Sequence, residues 1–115
     1  MMKVLAALAL VSATAAWAQP ERVERELVRH TEDDIQKAAT FTKLSGKERD
    51  RNDNALRHLS EFDAKYSKGD LGKGKLDQSI DDLKNIIDHN PLRGEDRDRL
   101  LDDLQRLRDF RKRHE

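Results

Sequence analysis

Apolar residues recur at alternating steps of three and four along most of the chain. Val28, Thr31, Ile35, Ala38 and Thr42 form one series, which Leu27 and Phe41 widen. Leu56, Leu59, Phe62 and Tyr66 form a second. Leu76, Ile80, Leu83, Ile86 and Ile87 form a third, and Leu100, Leu101, Leu104, Leu107 and Phe110 a fourth. Such spacing lays each series along one face of a 3.6-residue period. No segment sustains the alternation of a strand. The pattern therefore predicts four amphipathic helices, at about 21–43, 47–66, 75–89 and 95–113.

Local signals agree with these limits. Ser45-Gly-Lys-Glu48 has the form of a capping box, with Ser45 as the N-cap and Glu48 reaching back to its amide. Asn90-Pro91 stops the third helix, because proline disfavours helical geometry in the residue before it. The stretch 67–74 contains Gly69, Gly72 and Gly74, too many glycines for a stable helix, and reads as a linker.

The chain also resembles itself. Leu44-Ser-Gly-Lys-Glu-Arg-Asp-Arg51 aligns with Leu92-Arg-Gly-Glu-Asp-Arg-Asp-Arg99 at an offset of 48 residues. The register continues through Leu56 with Leu104, Leu59 with Leu107 and Phe62 with Phe110. Backwards, it pairs Asp33-Asp34-Ile35 with Asp81-Asp82-Leu83, and Val28 with Leu76. The expected architecture is all-α: a four-helix bundle of two duplicated helical hairpins, about 21–66 and 75–113, in up-down-up-down order. Short corners make neighbours antiparallel and set Ile35 opposite Leu56 and Leu83 opposite Leu104. The glycine linker 67–74 also gives a route to a homodimer by hairpin exchange.

The N-terminus carries a different pattern. Lys3 precedes an apolar run, Val4 to Ala16, and Ala16-Trp17-Ala18 follows before charge resumes at Glu21. This is the order of a secretory signal peptide, residues 1–18, with cleavage after Ala18. The run is shorter than the roughly 20 residues of a spanning helix. The expected location is therefore periplasmic or secreted, with no stable membrane insertion after cleavage. The chain has no cysteine, so neither a disulfide nor a lipidated cysteine is available. The expected mature unit, 19–115, keeps 22 basic and 23 acidic side chains, a formal charge of −1. Balanced charge argues against nucleic acid as a partner. Balance together with periodic apolar residues argues against disorder.

Candidate chemistry is sparse. His30, His58, His89 and His114 fall in four different helices, and none has a second histidine one turn away. His30 has Asp33 and Asp34 at helical spacing, which makes a His-Asp metal pair geometrically feasible, but a solvated polar face is the expectation. The doublets Asp33-Asp34, Asp81-Asp82 and Asp102-Asp103 point about 100° apart on a helix, so surface ion pairs are expected of them. The linker lacks the ligand ladder of a calcium loop. The most individual feature is the repeated Gly-x-x-Arg-Asp-Arg corner. It makes Arg49, Arg51, Arg97 and Arg99 a candidate anion-binding or partner-binding cluster, against the plainer use of bridging nearby acids. Arg111-Lys-Arg-His114 complements a helix C-terminus. No nucleophile-base arrangement, phosphate-cradling loop or cofactor motif is present in the sequence, so no enzyme activity and no cofactor are expected.

Two resemblances follow from these residues. The signal, the small helical unit and the ending Asp96 to Phe110 resemble the uncharacterised small secreted helical proteins of soil bacteria. Leu44-Ser-Gly-Lys-Glu48 and Leu92-Arg-Gly-Glu-Asp96 are partly similar to the LTxxQ motif of periplasmic stress proteins, which are small, exported, helical and chaperone-like. The sequence thus implies a non-enzymatic exported helical protein that acts by protein binding or structural association. The second resemblance implies a chaperone-like periplasmic stress protein as the alternative.

Overall fold

The computed structural model describes the backbone from Met2 to Glu115 and the side chains from Arg22 onward. Four helices follow one another: α1 (Met2–Phe41), α2 (Gly46–Ser67), α3 (Lys73–His89) and α4 (Gly94–Arg113). α1 packs on α2 and α4, and α3 packs on α2 and α4, while neither diagonal pair meets. The helices therefore stand in a ring around one core, each antiparallel to its sequence neighbours. This is the expected up-down-up-down four-helix bundle.

The helix ends follow local chemistry. The Ser45 hydroxyl accepts from Glu48 N at 3.3 Å, and Glu48 Oε1 accepts from Ser45 N at 2.8 Å, so the expected capping box opens α2. α3 stops at His89, and Asn90 adopts the extended geometry (φ −88°, ψ 147°) that Pro91 demands. Gly69 and Gly72 take φ of +87° and +64°, which side chains other than glycine rarely adopt. Asp70 Oδ1 accepts from Gly72 N at 3.0 Å and steadies the turn.

Two helix starts differ from expectation. α3 begins at Lys73 rather than near Lys75, with the Gly72 carbonyl accepting from Leu76 N at 2.9 Å to close its first turn. α1 begins at Met2 rather than near Glu21, since the Ala-Leu-Val run ahead of it consists mostly of strong helix formers. The side chains of the expected signal segment 1–18 lie outside the described residues.

The core contains the expected leucines and isoleucines, together with Phe62 and Phe110, whose rings meet edge to face at 5.9 Å. Ile35, Leu83 and Leu104 are buried as expected, but Leu56 lies at the core edge. Ala55 takes the inner place on α2 instead, in the series Asn52, Ala55, Leu59, Phe62. Phe41 and Leu101, expected in the apolar stripes, are exposed. Phe41 is nevertheless covered on one face by the Arg93 guanidinium, 3.8 Å from the ring centre.

Candidate functional site

The corners α1–α2 and α3–α4 lie at one end of the bundle, as antiparallel order requires. Their arginines have partners within the fold. Arg51 donates to Asn90 Oδ1 at 3.1 Å. Asn90 in turn donates to the Glu48 carbonyl and to Asn52 Oδ1, both at 3.1 Å. Arg97 donates to the Ile87 carbonyl at 2.8 Å and so satisfies an acceptor in the last turn of α3. Arg99 pairs with Asp96 at 2.8 Å and Glu95 at 3.4 Å. Arg49 is exposed. Thus three of the four candidate arginines bind the protein's own acids, amides and carbonyls.

Arg93, missed by the sequence pattern, is the hub of the second corner. It stacks on Phe41 and bonds Asp96 at 2.8 Å. The hydrogen bond from Arg93 holds the buried Asp96 carboxyl below the usual carboxylate range.

The three aspartate doublets split in one manner. Asp33, Asp81 and Asp102 face solvent, whereas Asp34 and Asp103 are buried and Asp82 is half-buried. Adjacent members do not converge, as their helical geometry dictates. Inner members do meet partners across helix pairs. Asp82 on α3 pairs with His58 on α2. Asp34 on α1 meets Asp103 on α4, with His30 one turn before Asp34. His30 Nε2 lies 3.3 Å from Asp34 Oδ2 and 3.6 Å from Asp103 Oδ1. The ligand atoms of all three lie within 4.8 Å of one another.

Burial decides the electrostatics here. Asp103 is 0% exposed and Asp34 only 7%. Burial, then the hydrogen bond and charge of Asp34, push the Asp103 carboxyl up to about 8. No N–H or hydroxyl donates to either oxygen of Asp103 or to Asp34 Oδ2, so the two acids have each other as partners. His30 is 54% exposed and joins this buried pair to a cleft of about 370 Å³ between α1 and α4. Val23 and Leu27 line the cleft, with Glu26, Arg106, Asp109 and Arg113.

The sequence held a signal for both buried acids. Asp34 stands three residues after Thr31 and four before Ala38, and Asp103 three after Leu100 and four before Leu107. Each is therefore on an apolar stripe rather than a polar face. Their meeting was not visible, because it depends on which helices become neighbours. The other histidines have separate settings. His114 stacks on Phe110 at 4.1 Å, and His89 is exposed.

Among the described residues no helix is long and apolar enough to cross a membrane. No protein-family model matches the chain, and no curated protein or solved structure matches it either.

Proposed function

We propose that this chain is a non-enzymatic exported protein that associates with a protein partner through its charged helix faces. The observation that carries the reading is the division between core and surface. Among the side chains from Arg22 onward, fifteen apolar residues form one buried cluster. Among the described residues, the large apolar side chains left exposed are Val23, Phe41 and Leu101. They are scattered, and Phe41 is already stacked under Arg93. A chaperone of unfolded chains needs a contiguous apolar patch of several hundred Å², so the division favours specific association over that alternative.

The run Val4–Ala16 and the Ala16-Trp17-Ala18 site support export to the periplasm or beyond. The 48-residue offset supports an origin by duplication of one hairpin. The compact turn at Gly69 and Gly72 supports a unit closed within one chain rather than a swapped dimer.

Residues 19–115 contain the whole described core. Immobilised, they are expected to retain one protein from envelope extract of the producing bacterium. Repurified, that protein should bind with one-to-one stoichiometry and be released as salt rises, because exposed charge pairs are screened. Retention of many unfolded proteins at any salt, or of none, contradicts the reading.

A further inference from the structure

We propose that His30, Asp34 and Asp103 form a binding site for a divalent transition-metal ion, zinc by preference, with one coordination position open to the α1–α4 cleft. The site goes beyond the partner-binding function and does not depend on it.

Geometry comes first. Zinc binds imidazole nitrogen and carboxylate oxygen at about 2.0–2.1 Å, and a tetrahedron of that size has edges of about 3.3–3.4 Å. The two edges from His30 Nε2, 3.3 Å and 3.6 Å, already approach those values. His30 and Asp34 are one helical turn apart on α1, so the backbone presents both on one face. Asp103 closes the third corner from α4. Three protein ligands leave the fourth position of a tetrahedral zinc ion to water. The exposed side of His30 gives that position access to water.

The second observation is independent of the spacing. Asp103 is fully buried, no N–H or hydroxyl reaches either of its oxygens, and its partner is a second acid, Asp34. Buried carboxylates are nearly always met by N–H, hydroxyl or cationic partners, and two that meet only each other call for a specific cause. Arg106, the nearest arginine on the same helix, is engaged with Asp102 at 3.1 Å. A divalent cation supplies what the protein does not. With neutral imidazole and two carboxylates its charge is balanced within the buried site.

The proposed repeat adds a comparison internal to the chain. At the offset of 48, Asp34 corresponds to Asp82 and Asp103 to Ala55. The α2–α3 interface therefore packs with an alanine where the α1–α4 interface holds an acid. Ala55 is fully buried, so packing at that level requires no carboxylate. There Asp82 turns to His58 instead. Packing alone does not account for Asp103. The donor set of one nitrogen and two oxygens, with no sulfur, suits zinc and its neighbours rather than copper(I).

The test is titration of the full chain, stripped with chelator, with zinc by calorimetry and with cobalt(II) by visible absorption. The expected result is a single ion per chain, a tetrahedral cobalt spectrum, and a rise in Tm of about 10 °C or more at saturating zinc. Asp103→Ala, which copies the Ala55 environment, and His30→Ala, at an exposed position, should each weaken binding by more than about tenfold. His89→Ala, on the surface of α3, should bind as the parent does. Absence of binding, or equal binding in Asp103→Ala and His30→Ala, overturns the proposal and leaves Asp34 and Asp103 as an acid pair that shares a proton.

Discussion

Asn90 donates its side-chain amide to Asn52 Oδ1 at 3.1 Å, joining the end of α3 to the first turns of α2. Both residues are buried. With Arg51 and the Glu48 carbonyl, they make a polar knot that ties the two hairpins together at the corner end of the bundle. Removal of Asn90 leaves buried acceptors and a donor without partners, at a cost of about 1–3 kcal/mol. Asn90→Ala should therefore lower Tm by roughly 5–15 °C in a domain of this size. An unchanged melt would show that the knot contributes nothing.

The arginine corners give a contrast within one motif. Arg51 binds Asn90, while its neighbour Arg49 is exposed. Arg51→Ala should destabilise the fold by about 1 kcal/mol or more, and Arg49→Ala by less than about 0.5 kcal/mol. Ser45→Ala, which breaks the capping box, should cost about 1 kcal/mol. Urea midpoints of the three variants rank these effects. Equal losses at Arg49 and Arg51 would contradict the contacts assigned to them.

The Asp103 carboxyl makes metal-free stability depend on pH. Its folded value of about 8 stands far above the roughly 3.9 of an unfolded aspartate. Between those values the folded chain keeps a proton that the unfolded chain has released. Stability therefore falls as pH rises from about 4 to 8 and levels off above. The limiting slope for one group is about 1.4 kcal/mol per pH unit. Facing Asp103 are His30 and Asp34 from α1, with Asp102 and Arg106 on its own helix. Asp96 acts oppositely. Arg93 lowers its value, so its contribution is lost as pH falls through that lowered value. With chelator present, the urea midpoint should be lower at about pH 8 than at about pH 5, and Asp103→Ala should remove most of the difference. Equal parental midpoints would contradict the assignment.

What the sequence made legible was local. Ser45-Gly-Lys-Glu48 and Asn90-Pro91 mark helix ends through contacts made within a few residues, so their chemistry reads directly. The apolar series gave the helix count and the neighbour order. Rotation of each helix about its axis was less legible. The spacing places Leu56 inside, yet Ala55 is the fully buried residue and Leu56 packs at the core edge. The candidate site was the least legible part. Arg49, Arg51, Arg97 and Arg99 drew notice by repetition, but most of them hold the corners together. Asp103 looked like half of a surface doublet, and its meeting with Asp34 needed the α1–α4 contact that only the closed bundle creates.

The aromatic cluster sets the opposite end. Phe62 meets Phe110 at 5.9 Å and Tyr66 at 6.0 Å, with Phe62 fully buried. Phe62→Ala should cost about 3–5 kcal/mol. Thermal melts followed by circular dichroism should show either a much lower Tm or loss of the transition at room temperature. A shift of only a degree or two would show that the cluster does not hold the helices together.

In the proposed function the bundle uses its apolar side chains on its own core and meets partners with charge. The direct measurement is light scattering of a denatured client protein diluted into buffer with an equimolar amount of residues 19–115. The client is expected to aggregate as fast as it does alone. Suppression of aggregation at that ratio, persisting at high salt, would contradict the proposed function.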